Sequence, residues 1–408
     1  MATTKRATSS YDFCDPEFYR DPWDAYRWLR ENAPVSWDAK NSLWAITTHA
    51  DVSYISRHPE QFCSGQGIRP YTSFDLSLLA LDGDVHFRQR QIVSRGFTPK
   101  VVTQLESTVR AKTDRLLDGF VGRSELDFID DLAAPLPLEV IADLMGFPDE
   151  GREQLRVWSD LMVAGEGHVA EDDPALIAAA TAAMEYVGHV SGLIEQRRTD
   201  GFRGDDLISV LARAEEEGLF DRSGETLDES ELLFFLVLLI VAGNETTRNA
   251  MSGGFAAFHR NPGEWQRFVA AANAGDTAFT AKAADEILRY VTPVLSFCRT
   301  ATETAEVNGQ RIESGEKVLL LYQSANRDPS VFDAPDEFRI DRSPNPHLAF
   351  GIGPHFCLGA NLARLEIRVV FEQLAKRFPN ATLPDAFVPA YQCVNTLVHA
   401  IDRLPMTV

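Results

Sequence analysis

Cys357 has the sequence setting of a reactive sulfur. It lies in the segment FGIGPHFCLG, residues 350–359, where glycines and a proline precede it and a helical repeat of leucines follows it. A cysteine at the start of a helix faces backbone N–H groups and the positive end of the helix dipole, which lower the pKa of a thiol and stabilise a thiolate. The glycines leave room for a flat group to approach, and His355 offers a donor beside the sulfur. The segment therefore favours a nucleophile or a metal ligand at Cys357 over a buried structural cysteine, which is the alternative.

A second group of chemical interest lies inside a long apolar segment. The apolar run 232–242 ends in Ala242, Gly243, Asn244, Glu245, Thr246 and Thr247. A glycine beside a hydroxyl commonly marks a kink in a helix. A carboxylate next to a hydroxyl at such an opened turn forms a proton-delivery pair with a slot for water or dioxygen. The alternative is that the helix ends here and a threonine caps the next one.

Several other charged residues have spacings that fit either a site or an ordinary surface. Glu286 and Arg289 stand at i and i+3, on one face of a helix. His86, Arg90 and Arg299 offer further donors. Read singly, each of these side chains is as well explained as a solvated charge.

The elements that must position these residues are mostly helices. Apolar periodicity predicts helices over 22–32, 86–94, 99–120, 134–144, 149–163, 175–199, 207–217, 228–261, 281–290 and 358–377. Short strands are predicted around 42–47 and within 307–321, where turns alternate with β-branched residues. No linker or repeat divides the chain. We therefore predict a mainly α fold, with a flexible N-terminal arm over residues 1–10 and a single domain over 11–408.

Composition excludes several classes of protein. The 408 residues carry a formal net charge of −21, which would repel nucleic acid and anionic lipid surfaces. The five cysteines are scattered and contain no CxxC pair, so neither a disulfide framework nor a zinc knuckle is expected. The N-terminus has no signal-peptide core, and the longest apolar run has 11 residues against the roughly 20 that span a bilayer. A cytoplasmic protein without a membrane anchor is predicted.

In this order and spacing, the motifs resemble those of the cytochrome P450 family, the haem-thiolate monooxygenases. Residues 350–359 match the family's haem loop at every defined position, residues 242–247 match its oxygen-activation motif, and the 286–289 pair matches as well. The resemblance runs from about Phe18 to the end of the chain. It implies the family's triangular helical prism with a small β region, built around a haem b cofactor.

The resemblance also implies a role for each motif residue. Cys357 would be the thiolate ligand of the haem iron. Glu245 and Thr246 would relay protons to the distal oxygen at the turn that Gly243 opens. Glu286 and Arg289 would form a buried structural pair with Arg339 or Arg342. The other implied haem contacts are His86, Arg90, Arg299 and His355 at the propionates, and Ala242, Phe350 and Gly359 elsewhere in the haem site.

The substrate class follows from finer similarities. The strings VAGNETTRN, SANRDPSVFD and NPHLAFGIGPHFCLGANLARLE are similar to those of actinobacterial-type hydroxylases of sterol side chains and methyl-branched lipids. Matching to the family pattern implies an apolar pocket, although each of its members could equally belong to the core: Ile68, Phe74, Met162, Val163, Leu238, Val241, Leu295, Phe297, Val394 and Leu397. The predicted reaction is insertion of one atom of O2 into an unactivated C–H bond of a hydrophobic substrate.

Other functions fit the same scaffold. Terpenoid and fatty-acid hydroxylases are alternatives, because similar sequence motifs occur in related hydroxylases. A peroxide-driven peroxygenase and a non-catalytic haem protein are further alternatives, but such peroxygenases typically lack an acid–alcohol pair and a gas carrier needs no proton relay. Glu245 and Thr246 therefore favour a monooxygenase.

The distribution of charge suggests the electron donor. Residues 86–115 contain seven Lys and Arg (Arg88, Arg90, Arg95, Lys100, Arg110, Lys112, Arg115) against two acids, a local balance of +5 in an acidic chain. By resemblance this segment lies beside the Cys357 loop, where Arg364 and Arg368 are opposed only by Glu366. A basic patch there would steer a small acidic ferredoxin, itself reduced by an NAD(P)H-dependent reductase.

Overall fold

The computed structural model describes residues 6–71, 77–165, 170, 172–201, 204, 206–217, 229–385, 387–392, 397–398 and 400–408. Helices dominate this part of the chain, which confirms the predicted mainly α fold. They are α1 (Trp23–Asn32), α2 (His49–Arg57), α3 (Gly83–Val93), α4 (Pro99–Asp118), α5 (Pro135–Met145), α6 (Arg152–Ala164), α7 (Pro174–Thr199), α8 (Leu207–Glu217), α9 (Glu229–Arg260), α10 (Pro262–Ala274), α11 (Thr277–Val291), α12 (Tyr322–Ala325) and α13 (Ala360–Arg377).

The predicted helices occur within a few residues of their expected bounds, but α2 and α10 were missed. Both carry start signals. The Thr48 hydroxyl accepts from the backbone N–H of Asp51 at the start of α2, and Pro262 occupies the first turn of α10. The helix predicted over 281–290 begins earlier, because the Asp276 carboxylate accepts from the N–H of Phe279 at 3.0 Å and caps it.

Helix α9 crosses the core and packs against α5, α6, α7, α11 and α13. Glycines allow its closest contacts. A Cβ at Gly253 would lie 2.6 Å from Val291, and one at Gly254 would lie 2.8 Å from Ile287, so α9 and α11 approach too closely for larger residues. Since interiors are close-packed, these contacts fix the position of α9 against its neighbours.

The strands form one five-stranded sheet of order β1–β2–β8–β5–β3 and three short pairs, β9 with β10, β4 with β11 and β6 with β7. They are β1 (Val35–Asp38), β2 (Leu43–Ile46), β3 (Phe62–Cys63), β4 (Leu126–Asp127), β5 (Ser296–Ala301), β6 (Ala305–Val307), β7 (Gln310–Ile312), β8 (Lys317–Leu321), β9 (Tyr391–Gln392), β10 (Ala400–Ile401) and β11 (Pro405–Met406). Strand β5 is central to the site: its side chains alternate between faces, so Phe297 and Arg299 share one face while Cys298 enters the core.

Residues 6–10 lie against the sheet, which differs from the prediction of a free arm. The backbone oxygen of Ala7 accepts from the N–H of Trp37 at 2.7 Å. The Arg6 guanidinium lies over the Trp37 ring at 4.0 Å and pairs with Glu316 at 2.5 Å. Apolar periodicity cannot detect such contacts, since they are made by a cation and by backbone groups.

Glu286 and Arg289 form the buried pair that the resemblance implied. Their side chains are fully buried, with two hydrogen bonds of 2.8 Å between them. Arg342 donates to the Glu286 carboxylate at 3.0 Å, whereas the Arg339 side chain turns to Asp333 and only its backbone N–H reaches Glu286. Arg342 therefore completes the cluster, which ties α11 to the segment before the Cys357 loop.

By length and composition, two described helices, Pro174–Thr199 and Ser230–Arg260, are apolar enough to cross a membrane. The second is most of α9, the central core helix, and core helices pass the same test. The first packs on α6, α8 and α9.

Candidate active site

One cavity of about 760 Å³ brings the predicted site residues together. Helix α9, the start of α3, strand β5 and the Cys357 loop form its walls. Every haem-contact and proton-relay residue proposed from the sequence lines it. So do six of the predicted substrate residues, Ile68, Val163, Leu238, Val241, Phe297 and Leu397.

Two predicted pocket residues, Met162 and Leu295, do not line the cavity. Their side chains are buried in the core, whereas the adjacent residues Val163 and Val294 face the cavity. Neighbouring side chains point in different directions, so only one of each pair lines the cavity. Phe74 and Val394 lie outside the described residues, as does Cys393.

The Cys357 loop is held in a shape that presents the sulfur to the cavity. The N–H of Cys357 donates to the carbonyl oxygen of Phe350 at 2.8 Å. Gly351 and Gly353 have φ of +67° and +80°, and a Cβ at Gly353 would overlap the backbone oxygen of Ser56. The glycines are thus required by the turn itself and by its close approach to α2.

The environment of the sulfur differs from the expectation of a lowered pKa. Burial raises the pKa of the Cys357 thiol, and this exceeds the opposing effects of the Gly359 N–H and of the cations Arg90 and Arg364. Helix α13 begins at Ala360, two residues later than predicted, so its dipole acts from further away. A thiol in this setting becomes a thiolate when it binds a metal cation. Cys357 is therefore suited to be a metal ligand rather than a free nucleophile.

A cluster of donors faces the cavity beside the sulfur. The rings of His86 and His355 lie 4.1 Å apart, and Arg90 and Arg299 line the same wall. Burial, together with His355 and Arg90, lowers the pKa of His86 to about 4. Within the described part of the chain, the buried Nε2 of His86 has no hydrogen-bond partner. Such a cluster calls for an anionic ligand, and the two propionates of a haem fit it.

Two residues that position this cluster were missed in the sequence. The Asp82 carboxylate accepts from the N–H groups of Ser64 and Gly65, at 2.9 and 2.6 Å, and lies 3.9 Å from His355 Nε2. The Ser64 hydroxyl is 3.2 Å from the same nitrogen. The helix start at Asp82 is visible in the sequence, but its link to Ser64 depends on tertiary structure.

Glu245 and Thr246 belong to α9 and line the same cavity as the Cys357 loop. The Glu245 carboxylate pairs with Arg248 at 2.5 Å and accepts from the Asn249 side chain at 2.9 Å. The Thr246 hydroxyl donates to the backbone oxygen of Ala242 at 2.7 Å. The helix runs on through this turn, in agreement with the helix predicted over 228–261, so the alternative of a helix end at this point is wrong. Gly243 has a packing role, since a Cβ there would lie 2.6 Å from Ile141 of α5.

Glu366 was counted as a surface charge in the sequence, and the structure shows otherwise. It is 2% exposed, lines the cavity, and its Oε1 has no hydrogen-bond partner among the described residues. Burial raises its pKa to about 8. Burial therefore favours the neutral form of Glu366, and this buried carboxyl group is not part of the charged surface.

The predicted basic patch is largely neutralised by acids that lie elsewhere in the chain. Arg88 pairs with Glu231 and Lys112 with Asp143, at 2.6 and 2.9 Å. Arg110, Arg115, Arg364 and Arg368 are also in ion pairs. Lys100 is exposed and has no ion pair within the described residues, and the side chain of Arg95 lies outside them. Counting charges along one segment overestimated the patch because the counterions come from α5, α9, α11 and α13.

A loop that presents a cysteine sulfur, a cluster of cationic and imidazole donors and an acid–alcohol pair meet in one cavity, and together they define a haem-thiolate site. A sequence profile described as Cytochrome P450 matches residues 177–393. The chain belongs to the cytochrome P450 family, as the resemblance predicted.

Relatives with named activities cover almost the whole chain. A steroid C26-monooxygenase of Mycolicibacterium smegmatis (strain ATCC 700084 / mc(2)155) is 39% identical over 377 residues, covering 92% of this chain and 90% of that protein. A methyl-branched lipid omega-hydroxylase of Mycobacterium bovis (strain ATCC BAA-935 / AF2122/97) is 38% identical over 403 residues, covering 94% and 90%. A solved cytochrome P450 of Mycobacterium marinum in complex with pseudoionone superposes with a TM-score of 0.87 at 32% identity, covering both chains fully.

Proposed function

We propose that this cytochrome P450 is a monooxygenase that hydroxylates an unactivated C–H bond of a steroid side chain or a methyl-branched lipid. The observation that carries the proposal is that Glu245 and Thr246 line the same apolar cavity as Cys357. A haem b held by Cys357 would supply the iron at which dioxygen is activated.

The chain's own residues have separate tasks in this reaction. Cys357 would bind the iron through sulfur, while His86, Arg90, Arg299 and His355 would hold the propionates. The Thr246 hydroxyl is held at the cavity wall and can donate a proton into it once it leaves the Ala242 oxygen. Glu245 is buried beside it, where the Arg248 cation and the Asn249 amide hold its carboxylate. These two residues can move a proton inward while the surrounding apolar side chains exclude bulk water.

The cavity wall supports a large apolar substrate. Beyond the haem contacts it is formed mainly by aliphatic and aromatic side chains, among them Leu78, Leu79, Phe97, Phe234, Val237 and Val294. Apolar contacts bind a hydrocarbon by excluding water and give it little orientation, so the end that reaches the iron is selected by shape. The named activities of the two relatives, on a steroid and on a methyl-branched lipid, support the same class.

We also propose that electrons come from a small acidic ferredoxin and that the enzyme works in the cytoplasm. Support comes from the surface beside the Cys357 loop, where Phe356 is 40% exposed and accepts a hydrogen bond from Arg90 through its backbone oxygen. Exposed Lys100 adds a cation on the segment that follows α3. An exposed apolar side chain together with an exposed cation suits an acidic partner.

The experiment is a substrate panel on the purified haem protein. The reduced, CO-bound absorption spectrum should show the thiolate-type band. Sterols and branched-chain lipids should then shift the iron spin state, and turnover with O2, a ferredoxin and its reductase should yield a hydroxylated product. A panel in which only polar, charged or compact ring compounds bind would overturn the substrate class. Product that forms with hydrogen peroxide but not with O2 and the ferredoxin system would identify a peroxygenase.

A further inference from the structure

Asp285 joins three elements directly beneath the Cys357 loop. Its Oδ1 accepts from Arg364 Nε of α13 at 2.7 Å and lies 3.2 Å from His347 Nε2, in the segment that leads into the loop. Asp285 itself belongs to α11, next to Glu286 of the structural cluster. One carboxylate oxygen thus connects α11, α13 and the loop.

Two contacts of His347 indicate which ring nitrogen carries the proton when the ring is neutral. The N–H of Ala349 donates to His347 Nδ1 at 3.3 Å, so that nitrogen must be an acceptor. The proton of a neutral His347 is then on Nε2, from which it is donated to Asp285. The side chain is 2% exposed, so this orientation is held by packing as well.

Arg364 connects Asp285 to the loop that holds the Cys357 sulfur. Its guanidinium carbon lies 4.6 Å from the centroid of the Phe350 ring, an approach that favours a cation–π contact. The backbone oxygen of Phe350 accepts the N–H of Cys357 at 2.8 Å. The Arg364 cation therefore lies against the residue whose backbone oxygen holds the Cys357 turn.

We propose that Asp285 is a positioning residue for the thiolate loop, which holds Arg364 across Phe350 and thereby sets how much positive charge the Cys357 sulfur experiences. Asp285 neutralises part of the Arg364 charge and fixes where the rest of it lies. Arg364 alone would draw electron density from the sulfur, and without Arg364 the sulfur would donate more strongly to the iron. The pair therefore sets the reduction potential of the bound haem.

Opposite effects of the two partners are the specific expectation. In Asp285→Asn, the negative charge is lost and the haem reduction potential should shift to more positive values. In Arg364→Gln, the positive charge is lost and the potential should shift to more negative values. Asp285→Glu keeps the charge and should lie close to the wild-type potential. The matched control is Asp341→Asn, which breaks the exposed Arg267–Asp341 pair, 2.6 Å long, and should leave the potential unchanged.

The test is redox titration of each purified haem protein, followed through the haem absorption. Opposite shifts in the two variants, with none in the control, would support the role. Shifts of the same sign, no shift, or an equal shift in Asp341→Asn would overturn it. Arg364 is about one-third exposed, so Arg364→Gln remains informative if Asp285→Asn fails to fold.

This inference rests on the proposed binding of haem through Cys357. Each variant and the wild type are therefore first examined by their haem content and reduced CO spectrum. Absence of the thiolate-type band in the wild type would count against the proposed function. A normal band with the wrong pattern of potentials would count against Asp285 alone.

Discussion

The hydroxyl of Thr246 donates a 2.7 Å hydrogen bond to the backbone oxygen of Ala242, one turn earlier in α9. The Ala242 oxygen is a backbone acceptor of the helix, and here it also accepts from a side-chain hydroxyl. This hydrogen bond holds the Thr246 hydroxyl at the cavity wall. This placement supports the proposed role of Thr246 in proton transfer.

Thr246→Ala should therefore uncouple the reaction. Substrate affinity, measured by the spin-state titration, should stay within about twofold, because a small hydroxyl contributes little to apolar binding. Product per electron should fall by about a hundredfold, the lower end of what a positioned proton donor contributes. The lost electrons should appear as hydrogen peroxide.

The control for this variant is Thr181→Ala in α7, where an exposed threonine makes the same kind of bond to the Ile177 oxygen at 2.9 Å. That variant should behave as the wild type does. Unchanged coupling in Thr246→Ala would contradict the relay.

Cys357→His should abolish the thiolate-type CO spectrum while some haem remains bound, because the cationic cluster still holds the propionates and an imidazole can ligate iron without supplying a thiolate. Absorption spectroscopy of the reduced, CO-bound protein measures this. Cys63→Ser, in β3, should leave the spectrum intact. Survival of the thiolate band in Cys357→His would show that another group is the ligand.

Glu366→Gln should change how stability depends on pH. The folded chain keeps the Glu366 proton up to a pKa of about 8, whereas the ordinary value is 4.5, so between these values the folded state binds more protons than the unfolded state does. The free energy of unfolding should then fall as pH rises, by at most about 1.4 kcal/mol per unit from this group. Glutamine cannot ionise, so the variant should lack that contribution.

Denaturant midpoints of the holoenzyme at several pH values between 5 and 8 test this. The difference between wild type and Glu366→Gln should favour the variant increasingly toward pH 8. Exposed Glu60→Gln serves as the control, and its profile should parallel the wild type. A constant difference across the range would mean that Glu366 is ionised in the folded protein.

Lys100→Glu should slow reduction by the ferredoxin, and added salt should weaken the difference, because ionic screening acts over about 10 Å at 0.1 M. The matched control is Lys376→Glu, an exposed lysine at the far end of α13 from the Cys357 loop. Stopped-flow measurement of the reduction rate against ionic strength distinguishes these two variants.

Charge reversal at Arg88 or Lys112 also breaks the internal ion pairs of these residues, so those variants report stability as well as docking. A reduction rate that is independent of salt in all variants would contradict ferredoxin docking at this surface.

The contiguous motifs were readable from the sequence because their chemistry depends on local spacing. In the Cys357 loop, glycines, histidine and cysteine fall within ten residues, and the turn that joins them is set by their own backbone angles. The helices were readable for a similar reason, since periodicity reports which face is buried.

Residues whose role depends on distant partners were not readable in this way. Glu366 lies among charged neighbours in the sequence, yet its side chain enters the cavity while Arg364 and Arg368 point to other acids. The same holds for Asp285, whose partners are 62 and 79 positions away. Local charge counts fail wherever the tertiary fold supplies the counterion.

The close packing of α9 at Gly243, Gly253 and Gly254 limits where laboratory evolution of this enzyme can succeed. A methyl group at any of these positions would have to displace Ile141, Val291 or Ile287, and with them the helices that carry them. Libraries aimed at new substrates should therefore leave these three glycines untouched and diversify Leu78, Leu79 and Leu397, which line the cavity from short connecting segments rather than from long helices. Loops can absorb an added carbon by moving locally, so variants there can accept a different hydrocarbon without losing the haem.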